Sequence, residues 1–192
     1  ARILARSELP ENQQRHLQDI ELQVNRMTAI IQQLLDCFRH VPDSRRQLDL
    51  AVVLADVLER VAEDSRCQEA ALEAGPLPVA MPVRAEPLRV GLACLNVIRN
   101  ACQSARSRVR VCVRDAGEAW QVLVEDDGPG IPEALREQIF EPFYSTRAAG
   151  EGTGLGLAVV NSVMKEHGGW IEVGESDMGG CRMSLCFPKE AG

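Results

Sequence analysis

Two asparagines one helical turn apart are the first residues whose spacing points to chemistry. They lie in Leu95-Asn96-Val97-Ile98-Arg99-Asn100-Ala101. Residues four apart share one face of a helix, so both carboxamides project together. Their neighbours Val90, Leu92, Leu95, Val97 and Ile98 are apolar, and amides placed among them cost free energy unless bonded. A neutral amide oxygen suits Mg2+, an oxygen-seeking ion commonly shared with phosphates. Two satisfied structural amides are the plainer alternative. Val124-Glu125-Asp126-Asp127-Gly128-Pro129-Gly130-Ile131 forms a second group, directly after a strand pattern. Glycines on either side of a proline let the backbone turn sharply and approach a planar ligand closely. A carboxylate at the strand end can accept a hydrogen bond from an exocyclic amine such as that of adenine. An ordinary Asp-Gly turn is the alternative.

The third group is Gly150-Glu151-Gly152-Thr153-Gly154-Leu155-Gly156-Leu157, which opens an amphipathic helix. Glycine-rich backbone at a helix N-terminus offers free N–H groups and the positive end of the dipole to an anion. It lacks the GK[ST] ending of a P-loop, and its glycines do not fit GxGxxG. Between the glycine clusters lies Ile139-Phe140-Glu141-Pro142-Phe143-Tyr144-Ser145-Thr146-Arg147. Apolar residues in a loop bounded by glycines suggest a lid that packs over something when closed. No nucleophile–base–orienter set is evident. His16, His40 and His167 are far apart and lack metal-ligand spacing. His167, before Gly168-Gly169, is expected to cap a helix C-terminus.

These groups need elements to hold them. A helix is expected over about Pro87–Ala105, with strands near Val109–Arg114 and Trp120–Glu125. A helix over about Thr153–His167 precedes strands near Trp170–Gly174 and Cys181–Phe187. Upstream, a short strand (about Gln47–Leu50), a helix (Ala51–Ser65) and a weak alternating stretch near Cys67–Leu72 lead into a Pro-rich loop, Gly75–Pro87. The expected class is α+β, with helices on one face of a mixed sheet. Before it, Leu17, Ile20, Val24, Met27, Ile31, Leu34 and Phe38 form an a/d heptad seam, which favours a bundle or a dimer through a helix over residues 11–40. Ala1–Arg6 (ARILAR) reads as the tail of an earlier antiparallel helix. Val41-Pro42-Asp43-Ser44 breaks the heptad helix, giving an N-terminal unit over residues 1–42 and a domain over 43–192.

The 192 residues are 45% hydrophobic, 4% aromatic and 26% charged, with net charge −7. That composition argues against disorder, and the acidity against nucleic acid or an anionic membrane as partner. Residues 1–46 carry seven basic and six acidic side chains, a net of +1, against −8 for the remainder. No apolar run approaches the ~20 residues that span a bilayer, so no membrane contact by this chain is expected. Ala1 is not an initiator methionine, which suggests a processed or excised fragment. Seven cysteines with no CxxC pair (Cys37, Cys67, Cys94, Cys102, Cys112, Cys181, Cys186) read as buried free thiols in a reducing compartment.

Taken in order, the groups resemble the catalytic ATP-binding domain of sensor histidine kinases, in the superfamily shared with DNA gyrase, the heat-shock chaperone and MutL. Leu95–Ala101 is similar to the asparagine box, Asp126–Ile131 to the first glycine box, Phe140–Phe143 to the phenylalanine box and Gly152–Leu157 to the second glycine box. The short lid and FEPFYST resemble the nitrogen-regulator type, and residues 11–40 resemble the second helix of the dimerisation and phosphotransfer hairpin. The resemblance implies a Bergerat-type sandwich, ATP and Mg2+ as cofactors, and Asn96 and Asn100 as the catalytic pair. Asn100 then ligates Mg2+, with Asn96 in support. Asp126 accepts from the adenine amine, with Gly128, Gly130 and Ile131 shaping the pocket. Gly152, Thr153, Gly154, Leu155 and Gly156 hold the phosphates, Phe143 lines the site, and Arg99 and Arg147 neutralise charge.

The same resemblance implies γ-phosphoryl transfer to a histidine and relay to a response regulator receiver domain. It places the protein in the cytoplasm, or as the cytoplasmic part of a membrane-anchored sensor. ATP-hydrolysing members place a glutamate where Asn96 stands, and an amide cannot take a proton from water, so a histidine acceptor is favoured. Gln103 occupies a position where many members are basic. No residue here matches the H-E-x-x-x-P-like acceptor motif, so the chain is expected to lack its own phosphoacceptor. The alternatives are a nucleotide-binding signalling module and a superfamily ATPase or serine kinase.

Overall fold

A computed structural model describes residues 13–17, 20, 24, 45–147 and 153–189. The chain divides into two compact units, Ala1–Arg39 and His40–Gly192. In the first, the described residues are helical, and the seam residues Ile20 and Val24 are 53% and 54% exposed. The rest of the expected helix over 11–40, the ARILAR segment, the break at Val41–Ser44, Cys37 and His40 lie outside the described residues. So do Gly150, Glu151 and Gly152.

In the second unit, β1 (Arg46–Asp49) passes directly into α1 (Leu50–Ala62). Asp49 makes that junction: its Oδ1 accepts from the Ala51 amide at 2.9 Å as an N-cap and from the Met81 amide at 2.9 Å. β2 (Ala71–Ala74) follows, and then β3 (Pro82–Ala85), which pairs antiparallel with β1. β3 corrects the expected loop at Gly75–Pro87. Four residues opening on proline, which has no N–H, carry too short a pattern to read. Pairing with β1 makes it a strand, with Met81, Val83 and Ala85 alternately buried.

α2 (Pro87–Ser104) starts on proline, where a missing N–H is harmless. The hairpin β4 (Arg108–Asp115) and β5 (Ala119–Asp126) comes next, then two short 3-10 turns, Glu133–Leu135 and Gln138–Phe140. α3 (Gly156–Glu166), β6 (Trp170–Glu175) and β7 (Cys181–Pro188) complete the unit. Five strands form one mixed sheet in the order β2-β4-β5-β7-β6, with β2 parallel to β4 and the other pairs antiparallel. The register Val111–Val124–Met183 and Val113–Val122–Leu185 puts a run of apolar residues on one face. α2 lies against β4, β5 and β7, α3 against β6 and β7, and α1 against α2. The expected α+β class is therefore the observed one.

Helix faces follow their apolar stripes. Leu50, Leu54, Val57 and Val61 of α1 are buried, as are Val90, Ala93, Cys94, Val97, Ile98 and Ala101 of α2. α3 begins at Gly156, three residues later than periodicity suggests, because Gly154 at φ 66° stands where helical backbone would have to continue. At its other end His167 is the C-cap. Its Nδ1 lies 2.7 Å from the Val163 carbonyl and its Nε2 accepts from the Glu86 amide at 3.0 Å. A backbone N–H can only donate, so Nε2 is unprotonated and Nδ1 carries the hydrogen. Six cysteines lie among the described residues and all are free. Burial pushes the Cys94 thiol up to about 12, which keeps it neutral.

Asp49→Ala removes a helix cap and the Met81 tether together. It is expected to lower unfolding stability by about 1–2 kcal/mol in urea titrations, with an unchanged m-value.

Candidate functional site

One face of α2 organises the site. Asn96, Asn100, Gln103 and Ser104 recur at i, i+4, i+7 and i+8, so they line one stripe. Each meets a different neighbour. A Cβ on Gly156 would lie 3.6 Å from Asn96 Oδ1, which places that carboxamide at the N-terminus of α3. Arg147 Nη2 donates to Asn100 Oδ1 at 3.1 Å, to the Asn100 carbonyl at 3.4 Å and to Ser104 Oγ at 3.2 Å. Arg147 Nη1 donates to Gln103 Oε1 in a short bond. The Ser104 carbonyl abuts Gly128 so closely that a Cβ there would lie 2.3 Å away. The asparagine pair, the first glycine turn, Arg147 and the start of α3 thus converge on one helix face.

Asp126 ends β5 and is only 4% exposed. Its Oδ1 accepts from the Gly128 amide at 2.8 Å and the Cys181 amide at 3.2 Å. No described residue bonds its Oδ2. Burial raises the carboxyl above its ordinary range, the two amides oppose that, and the charge of Asp127 adds to it. Asp127 turns the other way. Its Oδ1 accepts from the amides of Arg106, Ser107 and Arg108 at 2.8, 3.0 and 3.1 Å, and its Oδ2 from Ser107 Oγ at 2.6 Å. Those bonds, the Ser107 hydroxyl foremost, hold it well below the usual carboxylate range. Asp127 therefore ties the α2–β4 connection to the turn that carries Asp126.

Gly180, between β6 and β7, is a close-approach glycine. A Cβ there would fall 2.4 Å from both Asp126 O and Oδ1 and 2.5 Å from the Gly128 amide. Only a residue without a side chain lets β7 start against the carboxylate. Nothing local marks it, since it is 54 residues from Asp126 in sequence. Gly130 sits at φ 74°, and the carbonyl of Ile131 accepts from Arg136 Nε at 3.3 Å.

The phenylalanine segment closes on the third glycine group. Phe143 donates its N–H to the Gly154 carbonyl at 2.9 Å and sits at φ 69°, with its side chain 65% exposed. A Cβ on Gly154 would lie 2.4 Å from Phe143 C, so the two backbones touch. Thr153 Oγ1 accepts from the Leu155 amide at 3.3 Å. Leu155 is fully buried, backbone included, so it anchors the segment rather than facing the site. Arg99 is not brought to this cluster: its Nε donates to Asp64 Oδ2 at 2.6 Å, towards the segment that follows α1.

Residues 85–191 match the family described as histidine kinase-, DNA gyrase B- and HSP90-like ATPase, which is more than half of the chain. The chain belongs to that family. It is similar to the sensor histidine kinase ZraS of Escherichia coli O157:H7, 30% identical over 86% of this chain and 36% of that protein. It is also similar to the sensor histidine kinase CpxA of Escherichia coli K12, 29% identical over 91% of this chain and 40% of that one. Among solved structures, the mycobacterial sensor histidine kinase MprB superposes with TM-score 0.66 at 28% identity, covering 75% of this chain and 97% of that one. The chain thus spans well under half the length of these curated relatives. Its similarity falls on the ATP-binding catalytic part of those sensor histidine kinases. No helix among the described residues is long and apolar enough to cross a membrane.

Because burial raises the Asp126 carboxyl, its ionised form costs stability above the ordinary carboxylate range. Asp126→Asn keeps the Oδ1 acceptor and removes that cost. The variant is expected to melt no lower than the parent near neutral pH. Its advantage should shrink as pH falls into the range where the parent carboxyl is protonated. Thermal melts across pH check this, and a parent more stable than the variant at neutral pH contradicts it.

Proposed function

We propose that the domain binds ATP with Mg2+ and transfers the γ-phosphoryl group to a histidine on the helical hairpin to which residues 11–40 belong. The observation that carries the reading is the divided Asp126 carboxylate, with Oδ1 fixed by two amides and Oδ2 accepting nothing from the described residues. A purine amine donating to Oδ2 satisfies it and orients the base against Gly128, Gly130 and Ile131. From there the nucleotide runs along the α2 face towards α3. The backbone of Thr153, Gly154 and Gly156, with the positive end of the α3 dipole, takes phosphate oxygens, and buried Leu155 anchors that segment from behind.

The residues fit a magnesium site of the shared kind. No group of three His, Cys, Asp or Glu among the described residues could hold a metal by itself. Asn100 Oδ1 already faces a cation, the Arg147 guanidinium; Mg2+ takes oxygen ligands and keeps waters while phosphates complete its shell, so Asn100 is the protein oxygen that would join them. When bound, Mg2+ supplies charge neutralisation across the phosphates. Asn96, an amide, cannot activate water as a base. That supports transfer to an external histidine, with the protein acting through positioning and charge. The exposed Ile20 and Val24 of the heptad seam support a homodimer through helix 11–40. In this reading the chain works in the cytoplasm, or on the cytoplasmic side of a membrane-anchored sensor, and passes phosphate on to a response regulator receiver domain.

The test is phosphotransfer. The chain is expected to bind ATP–Mg2+ without labelling any of its own histidines from γ-labelled ATP, and to label a separate fragment carrying an acceptor-histidine helix. Asn100→Ala should weaken Mg2+-dependent ATP binding by roughly tenfold, about 1.4 kcal/mol. Label on His16, His40 or His167, or steady phosphate release with no transfer, contradicts the reading.

A further inference from the structure

α2 carries two arginines, and both are engaged away from its amide face. Arg89 pairs with Glu166 at 2.5 Å and Arg99 with Asp64 at 2.6 Å. The face itself presents Asn96, Asn100, Gln103 and Ser104, all neutral. A polyphosphate lying along it would meet amides and a hydroxyl, and no cation belonging to the helix. Arg147 brings one from another segment, with Nη2 on Asn100 and Ser104 and Nη1 on Gln103. Gln103 is exposed, and Arg147 is its one hydrogen-bond partner among the described residues.

We propose that Gln103 is a positioning residue that holds Arg147 over the phosphate end of the site, an inference that rests on the nucleotide reading above. The two guanidinium edges have different duties. Nη2 lies on the carboxamide oxygen that would join Mg2+, and would give up that oxygen to the metal and turn to phosphate. Nη1 stays on Gln103 and makes the change a pivot rather than a departure. The amide is suited to this because it accepts from the guanidinium without cancelling its charge. A carboxylate at the same position would pair with Arg147 and repel phosphate.

The test is calorimetric titration of the 192-residue chain with ATP and with ADP in Mg2+, for the parent, Gln103→Ala, Arg147→Ala, the double variant, and Gln103→Lys added to Arg147→Ala. Each single alanine is expected to weaken ATP binding roughly tenfold and ADP binding by no more than about twofold. The double variant should be no weaker than Arg147→Ala alone. Gln103→Lys should restore most of the ATP preference lost in Arg147→Ala, because it returns a positive charge to α2 itself. That rescue shows that the phosphate end needs a cation, and the non-additive double variant shows that Gln103 acts through Arg147, which a purely structural role would not give. Additive losses, absent rescue, or an unchanged ATP-to-ADP ratio in Gln103→Ala overturns the assignment. Both side chains are solvent-accessible, and equal melting temperatures across the set verify folding. If the parent binds neither nucleotide, the nucleotide reading fails and this assignment with it; if it binds ATP and the losses add, only this assignment fails.

Discussion

A carboxylate buried at the end of a central strand is costly unless its oxygens are bonded, and among the described residues only Oδ1 of Asp126 finds donors. Much of the site's architecture serves that half-satisfied group. Oδ1 needs two amides, so the turn after β5 must fold back to present Gly128 and β7 must begin alongside to present Cys181. β7 can begin there only because Gly180 has no side chain. Asp127, fully bonded to the α2–β4 connection, keeps the turn in register with α2. The sheet, the helix and the turn are thereby locked around one open oxygen.

Around it, the protein handles a polyanion with little net positive charge. The chain is acidic, with net charge −7, and the arginines of α2 are committed to ion pairs. In the proposed reading, binding an anion falls to local donors: the N-terminus of α3, the backbone of Thr153 and Gly154 before it, and the guanidinium of Arg147. Such donors act over a few ångströms and are indifferent to the charge of the whole chain. That reconciles an acidic domain with a nucleotide ligand.

What was legible in the sequence was local. The four-residue spacing of Asn96 and Asn100 put both on one helix face, and the strand patterns near Val109–Arg114 and Trp120–Glu125 anticipated the two strands that pair as β4 and β5. The order of the glycine groups carried the family resemblance. What escaped was non-local or disguised. Gly180 meets Asp126 across 54 positions, and Gln103 meets Arg147 across 44; neither pair has a pattern before the chain folds. Asp127 carries no mark in the sequence of the three amides and the hydroxyl that bond it. Arg99 looked available for phosphate by its place beside Asn100, yet one step along a helix is a 100° rotation, and that turned it to Asp64. β3 hid in a proline-rich stretch because its pairing with β1 is a tertiary event.

The central claim is that Asp126 Oδ2 is the acceptor for a purine exocyclic amine. It is tested most directly by comparing ATP with inosine triphosphate, which carries a carbonyl in place of that amine, in calorimetric titrations of the unmodified chain with Mg2+. The account predicts that ATP binds more tightly by at least about tenfold, because the carbonyl brings an acceptor against an acceptor in a buried site. Equal affinities for the two nucleotides would contradict it.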